Sequence, residues 1–574
     1  MTDPLLTPGT TLLSEGQAMA KDWKLESCLF LEANDVTSEV EYKRRKMSEK
    51  SIMQHAHIGF RSVSRTIEGM SYIYEKAAAK NVNIDRFGVT LDWSMGYPPD
   101  LRADRVRGTG IVLNGPEDFA TITNATPAAS HFGDFMLGLP GALHNTKAAL
   151  AAGATSIGNM GQYFTFRLPY WDDDVATTEA TVRALGLIAA QDAEILVHSN
   201  LDDGFAGLFV DMTSALGMVM IEKHIVEDLI GACCSFCYGH HFSNPLTRTA
   251  FHAALSRVSN TPGTMIFGNT VSYQSDAAAN YASLANYLLA DLVALGRKST
   301  GHAINPVPVT ENVRIPDVEE ILDAQSFASK LGEHAEAQSA IVDFDEVDQV
   351  ADKLVEGGRV FADNVFKGLQ EFGVNISDPA ELMLAIRRLG ARRMETLWGA
   401  GRGLEESADA KSIVQVPADW AQELDEMAMQ WSDANRHLIQ KPNLIRIALG
   451  TTDVHEHGAY LVRNAVENVG MEVIDAGVAV DAENLVAMAI EGDAHVIAIS
   501  TYNGIGLQYA KSVQAALQQS NRDIPVLIGG KLNQVSEGSN SDLPVDASDE
   551  IRATGAIPCA DLDDMIPILK SLTD

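Results

Sequence analysis

The stretch LIRIALGTTDVHEHGAYLVRNAVENVGMEVIDAG, residues 444–477, decides the reading of the C-terminal part of the chain. Residues 444–449 form an apolar run of strand length that stops at Gly450. From 458 to 470 the apolar residues Ala459, Leu461, Val462, Ala465, Val466 and Val469 recur at spacings of three and four, which predicts a helix. MEVIDAG (471–477) reads as a second strand. Working outward, a helix over 481–491, the strand HVIAIS (495–500), a helix over 506–519 and the strand IPVLIGG (524–530) continue the alternation, and IRATGAIPCA with DLDDMIPILKSL closes it. Strands and helices alternating at short spacing predict a parallel sheet covered on both faces. In such sheets ligands bind beyond the carboxyl ends of the strands. The polar loop Thr451–Gly458 falls there. It lacks the glycine-rich dinucleotide fingerprint, and Gly504 with Gly506 are too few to supply one. It offers Asp453, His455 and Gly458 instead. A neutral imidazole suits a transition metal, and its second nitrogen needs an acceptor that fixes the tautomer, a role Asp453 can fill from two residues away. The plain alternative for His455 is a surface loop histidine, which is the preferred reading of His457.

With 574 residues the chain is expected to hold more than one domain, since single cores rarely grow past roughly 300 residues. Hydrophobic residues make up 46% and charged residues 21%, an ordinary globular balance. No apolar run reaches the length of about 18 residues that a membrane span requires, and MTDPLLTPGTTLL lacks the basic start and apolar core of a signal peptide. A cytoplasmic protein is expected. The net charge of -34 argues against nucleic-acid and anionic-membrane partners, whose phosphates it repels. It leaves room for an acidic substrate held by a few buried Arg. The five cysteines, Cys28, Cys233, Cys234, Cys237 and Cys559, do not read as a disulfide scaffold. Cys234, Cys237, His240 and His241 are close enough to raise a zinc reading, but IGACCSFCYG is small and apolar and reads better as core.

DVHEHG (453–458) matches the Asp-x-His-x-x-Gly signature of the cobalamin-binding domains of carbon-skeleton mutases and methionine synthase. The resemblance implies that His455 ligates cobalt in place of the lower benzimidazole, that Asp453 hydrogen-bonds the other ring nitrogen, and that Gly458 lets the backbone approach the corrin. It further implies that the displaced nucleotide tail enters a cleft lined by Ser500, Thr501, Tyr502, Gly529 and Gly530. STYNGIG (500–506) and VLIGGKLNQVSEG (526–538) resemble the small subunit of glutamate mutase most. Methionine synthase is the weaker match, since neither its helical cap nor a zinc thiolate module is seen.

The N-terminal region is divided into a lead-in (1–55), a substrate domain (56–330), a helical extension (331–400) and a linker (401–443) ahead of the cobalamin-binding domain (444–574). KRRKMSEK (43–50) reads as a solvated helix face. Between 56 and 330, strand or loop candidates at 86–92, 135–141, 154–160, 194–199, 233–239, 263–269 and 299–310 alternate with helical stretches such as 64–80 and 274–296. The fold class expected is α/β: a (β/α)8 TIM-type barrel followed by a Rossmann-like, flavodoxin-like domain. HIGFRSVSRTIEGMSYI, NMGQYFTFRLPY and GHAINPVPVTENVRIPDVEEI resemble, in patches, the barrel-forming large subunit of glutamate mutase. That family grips substrate carboxylates with Arg, whose planar guanidinium pairs bidentately with them. The candidates here are Arg61, Arg102, Arg107 and Arg167, each with a plain structural ion pair as its alternative. LGLPGALHNT (137–146) has no Arg where the family has Arg-His-Gly, which points away from glutamate itself toward another acid. His198, with Asn200, Asp202 and Asp203 after EILVHS, leads the candidates for general acid or base, and His131, His144, Asn159 and Gln162 are placed similarly. The catalytic set is taken as His198, Arg167 and Arg61.

The resemblance implies adenosylcobalamin as cofactor, a radical 1,2-rearrangement of a small carboxylic or amino acid, and a homodimer, the common state of such enzymes. The alternatives are a methyleneglutarate-type mutase, an aminomutase (Lys531 being the one lysine placed to tempt a pyridoxal phosphate reading), a corrinoid methyltransferase, or a cobalamin sensor. A methylmalonyl-type enzyme would need a coenzyme A channel, and its usual barrel start is not recognised here.

Overall fold

The computed structural model describes residues 3–105, 108–273, 276–401, 414–439, 442–453, 455–502, 504–534 and 545–572. The chain divides into two compact units. The first comprises residues 1–105, 110–165 and 173–420, and the second 106–109, 166–172 and 421–574.

In the first unit, helices Gly9–Met19, Leu29–Asn34 and Glu39–Ser48 precede eight short strands: β1 (Met53–Ile58), β2 (Arg86–Val89), β3 (Ala129–His131), β4 (Ser156–Gly158), β5 (Leu196–Asn200), β6 (Cys233–Cys237), β7 (Met265–Ile266) and β8 (Ala303–Ile304). They pair in parallel as a five-stranded sheet, β3-β2-β1-β8-β7, and a three-stranded sheet, β4-β5-β6. Isolated parallel bridges join Phe132 to Ile157 and Tyr238 to Ile266. The result is a curled parallel sheet with helices between its strands.

Two strands escape the sequence reading. MQHAHI carries Gln54, His55 and His57 in a strand that is nearly all buried, and Ala129–His131 is only three residues long. FMLGLPG (135–141), open between strand and loop in sequence, is a loop with Met136, Leu137 and Leu139 buried in it. An apolar run of strand length cannot be told from a buried loop by periodicity. The strand β1 also begins inside the stretch expected to be lead-in. KRRKMSEK is not uniformly solvated: Lys43 is fully buried, and its Nζ donates to the carbonyls of Gly301 (2.7 Å) and Thr264 (3.2 Å). Burial pulls that amine down to about 7. The span 401–443 contains the helix Asp419–Asn435, so much of the expected linker is regular structure.

Arg248, on the helix Pro245–Val258, ties down the loops that follow β6 and β7. It pairs with Asp291 through two bonds (2.6 and 2.8 Å) and donates to the carbonyls of Gly239 (2.6 Å), Phe267 (2.7 Å) and Phe242 (3.2 Å), with both charged side chains 1% exposed.

Glu222, on the helix Met212–Lys223, is fully buried and accepts from the Ser199 hydroxyl of β5. Burial pushes its carboxyl up to about 7. An unfolded Glu ionises near 4.3. Between those values the unfolded chain releases a proton that the folded chain keeps, so stability falls as pH rises through the window. Glu222→Gln is therefore expected to come close to wild type near about pH 4 and to exceed it near about pH 8 by on the order of 3 kcal/mol. Urea melts at the two pH values check this, and a difference independent of pH would contradict it.

The second unit holds β9 (Arg446–Thr451), β10 (Glu472–Gly477), β11 (Val496–Thr501), β12 (Val526–Gly530), the short antiparallel pair β13 (Asn533–Gln534) and β14 (Val545–Asp546), and β15 (Ile557–Cys559). The main sheet is parallel in the order β10-β9-β11-β12-β15. Alternate side chains feed two cores. Ile447, Leu449, Ala498 and Leu527 pack against helices His457–Val469 and Ile566–Ser571. Ala448, Ile497, Ile499, Val526 and Ile528 pack on the other face against helices Ala482–Glu491, Gly506–Gln519 and Ser548–Ala553. The period of two in a strand makes both faces apolar, so these strands read as continuous hydrophobic runs. The order reverses at β9, whose neighbours are β10 and β11, and this switch point is where ligands of such sheets bind.

All five cysteines are free thiols. Burial pushes each of them up, Cys233 and Cys559 to about 11. Among the described residues no group of three or more His, Cys, Asp or Glu side chains is placed to hold a metal ion, and no helix is long and apolar enough to cross a membrane.

Candidate functional site

At the switch point, the loop after β9 brings Asp453 and His455 together. Asp453 Oδ1 lies 2.6 Å from His455 Nδ1 and accepts from the His455 backbone N–H at 3.0 Å. A carboxylate only accepts, so Nδ1 carries the ring proton and the lone pair sits on Nε2. The other oxygen, Oδ2, accepts from the backbone N–H of Tyr502 at 2.8 Å and from the Thr452 hydroxyl at 3.0 Å. The Thr452 hydroxyl in turn lies 2.8 Å from that of Thr501. Burial alone would push Asp453 up, but the adjoining His455 and the N–H donors of His455 and Tyr502 outweigh it and hold the carboxyl below its ordinary range. Asp453 is 6% exposed and His455 36%, so an anchored carboxylate holds an imidazole that still reaches solvent.

The remaining C-terminal candidates lie on the same edge. Ser500 pairs with Gly529 and Thr501 with Gly530 across β11 and β12. The Tyr502 ring lies against His455, centroids 4.2 Å apart, and Lys531 Nζ sits 3.0 Å from the Tyr502 hydroxyl. Gly530 has φ of 106° and turns directly over the Thr501 carbonyl, which accepts from Lys531 N at 2.9 Å. Gly458 also makes a close approach within the chain. A Cβ there would run into Ser500 Oγ, so glycine lets the first turn of His457–Val469 close onto the end of β11. Gly458→Ala is expected to cost about 1–3 kcal/mol by overpacking, and Ser500→Ala in the same chain to recover most of it. Thermal melts of the single and double variants check the pair, and an unrescued loss would contradict the stated contact.

The sequence candidates ahead of the C-terminal sheet separate. Arg102 is buried, and its guanidinium donates to the carbonyls of Tyr97 (3.0 Å) and Met95 (3.0 Å) and to Asn145 Oδ1 (2.6 Å). Those bonds serve the chain itself, which makes Arg102 a structural residue instead of a substrate ligand. Arg61, just beyond β1, has a buried Nε with no hydrogen-bond partner among the described residues. Arg167 belongs with residues 166–172 in the second unit, half-buried, and donates to the Phe166 carbonyl at 2.9 Å. Arg107 lies outside the described residues. His198 is fully buried in β5, with Nδ1 2.8 Å from the Thr264 hydroxyl. Burial, then the charges of Arg86 and Lys43, pull its imidazole down to about 3, so it is neutral. His144 is on the helix Ala142–Ala151, apart from these.

Beyond β3, β4 and β5 a polar cluster forms. Asp203 Oδ2 accepts from Asn200 (2.8 Å) and Asn159 (3.1 Å), and Gln162 donates to Asp134 Oδ1 at 3.3 Å. Burial, then the charges of Asp134 and Asp202, push Asp203 well above the usual carboxylate range. Burial raises Asp202 to about 6 although the backbone N–H groups of His240 and His241 donate to it. Asp134 was absent from the sequence candidates. It follows His131 by three residues, and placing β3 at 129–131 would have exposed it as a strand-end residue.

Residues 444–553 match the B12 binding domain family. The chain is similar to the ethylmalonyl-CoA mutase of Cereibacter sphaeroides, 23% identical over 179 residues that cover 30% of this chain and 24% of that protein. It is also similar to the ethylmalonyl-CoA mutase of Methylorubrum extorquens, 29% identical over 107 residues that cover 18% of this chain and 15% of that protein. The chain thus spans a quarter or less of the length of these curated relatives. A solved structure of a novel cobalamin-binding protein from Desulfitobacterium hafniense aligns at 20% identity over 27% of this chain and 71% of that one, with a TM-score of 0.21. The relatives are mutases but not glutamate mutases, so the resemblance narrows to its broader class. The pair Asp453–His455, on the loop after β9, falls inside the segment similar to B12 binding domains.

Proposed function

We propose that the chain is an adenosylcobalamin-dependent mutase that rearranges the carbon skeleton of a small carboxylic or amino acid. The observation that carries the proposal is the 2.6 Å Asp453–His455 pair at the sheet's switch point, inside the B12-binding match. The donor set fits a cobalt corrinoid: a neutral imidazole with its Nδ1–H fixed by a buried carboxylate leaves Nε2 for the metal. Ser500, Thr501, Tyr502, Gly529 and Gly530 would hold the nucleotide tail. When bound, adenosylcobalamin supplies a carbon-centred radical that removes a hydrogen atom from the substrate.

The protein's own residues would bind and orient the acid and keep water out. The first unit is read as a (β/α)8 barrel, a reading supported by the parallel bridges Phe132–Ile157 and Tyr238–Ile266, which join the two sheets in chain order. Active sites of such barrels lie beyond the carboxyl ends of the strands. There Arg61 would meet a substrate carboxylate, and the Asp134–Asp203 cluster would hold a proton or an ammonium group.

The test is spectroscopic. Purified chain loaded with adenosylcobalamin is expected to show a base-off spectrum with protein imidazole on cobalt. On adding the right member of a panel of small acids and their coenzyme A thioesters, electron paramagnetic resonance is expected to show an organic radical coupled to Co(II). Methyl transfer without any radical would overturn the mutase reading in favour of a corrinoid methyltransferase.

A further inference from the structure

The interior of the curled sheet is polar where barrels of this kind are usually filled with branched aliphatic side chains. His55 and the half-buried His57 of β1, with the buried Arg86 of β2, His131 of β3 and His198 of β5, form one contiguous group, with ring centroids of 5.9 Å (His55–His57), 5.8 Å (His55–His131) and 4.4 Å (His131–His198). Arg86 is anchored by Glu39 and donates to His55 Nδ1 at 3.1 Å. A guanidinium only donates. His55 Nδ1 therefore accepts, and the neutral ring carries its proton on Nε2. Burial first, then the charge of Arg86, hold His55 well below its ordinary range, which keeps the ring neutral.

That Nε2–H is fully buried and has no hydrogen-bond partner among the described residues, and the same holds for His57 Nδ1. The two nitrogens converge on one place. A Cβ added to Gly88 would lie 2.6 Å from His55 Nε2 and 2.5 Å from His57 Nδ1. Glycine at that position lets both rings close onto β2, since a Cβ there would collide with each of them. The Thr90 hydroxyl, 2.8 Å from His57 Nε2, can donate there and so place the His57 proton on Nδ1. His57 is half-buried and stands nearer than His55 to the carboxyl end of β1, the end at which such barrels bind substrates. Two convergent donors with no acceptor, in the field of a buried Arg, are matched to an anionic oxygen.

We propose that His55 Nε2–H and His57 Nδ1–H, over Gly88, bind a carboxylate oxygen of the substrate. The inference rests on reading the first unit as the substrate domain, and it makes His55 a neutral donor that Arg86 polarises and keeps in one tautomer. A buried water held by the same two donors is the competing occupant.

The experiment uses the full chain with ring-15N-labelled histidine and acetate as probe. In wild type, long-range 15N–1H spectra are expected to show His55 protonated at Nε2, and acetate is expected to shift that resonance saturably. In Gly88→Ala the affinity for acetate is expected to fall about tenfold or more, the loss of a hydrogen bond to a charged group. Cobalamin absorption recorded on the same samples separates the two hypotheses. Failure to bind cobalamin counts against the proposed function, whereas normal cobalamin binding with an unmoved His55 resonance overturns this inference. A His55 protonated at Nδ1, or a shift that survives unchanged in Gly88→Ala, also overturns it. The wild-type spectra decide the matter even if Gly88→Ala does not fold.

Discussion

His455→Ala, loaded with cobalamin, is expected to lose the nitrogen hyperfine coupling that a protein imidazole gives to Co(II), and with it turnover. Asp453 cannot take over as ligand: it is buried and already accepts from His455, Tyr502 and Thr452. The neighbouring change Asp453→Asn keeps the imidazole but removes the acceptor that fixes its tautomer and raises its basicity. Loss of such an outer partner lowers metal affinity or activity by about 10–100-fold, so Asp453→Asn should fall in that range and His455→Ala at or beyond its upper end. Cobalamin titrations followed by absorption, with paramagnetic resonance of the reduced samples, measure both. Coupling from protein nitrogen that persists in His455→Ala would remove the ligand assignment.

Arg248→Ala is expected to give the largest loss of stability among single changes in the first unit. It strands Asp291, 1% exposed, and leaves the carbonyls of Gly239, Phe242 and Phe267 without their donor. Breaking a buried pair by removing one partner costs about 3–5 kcal/mol. Replacing both partners by apolar residues of similar volume, Arg248→Met with Asp291→Leu, should recover much of that loss, because no charge is left buried alone. The recovery will be incomplete, since the three carbonyls remain without a donor. Urea unfolding of the single and double variants measures the difference. A double variant no better than Arg248→Ala would place the cost in the carbonyls and not in the ion pair.

The C-terminal sheet was readable because its central strands, β9, β11 and β12, are buried on both faces. Ile447, Ala448 and Leu449 serve two different cores in turn, and such strands stand out as apolar runs between amphipathic helices. The Asp453–His455 contact was readable for a local reason: two residues in one loop can meet without help from the rest of the fold. The first unit was harder. In β1 the buried polar side chains are Gln54 and His55, and what meets His55 Nδ1 is Arg86, from another strand. Hydrophobic periodicity carries no trace of that. The short β3 was lost for the same reason, and Asp134 with it. Lys43 shows the limit of reading charge as exposure, since its amine is satisfied by carbonyls more than two hundred residues away. Arg102 looked like a substrate ligand because an Arg in isolation carries no sign of which carbonyls will surround it.

The raised thiols have a practical consequence for spectroscopy. A thiol ionising near 11 presents about one thiolate in ten thousand at neutral pH, and the thiolate is the reactive form. Maleimides and methanethiosulfonates should therefore leave the native side chains almost untouched over the minutes a labelling reaction takes. One cysteine introduced on an exposed helix would then carry a nitroxide at a single known address, with no need to replace the five already present, and its dipolar coupling to a paramagnetic centre could be read as a distance in the otherwise unaltered chain.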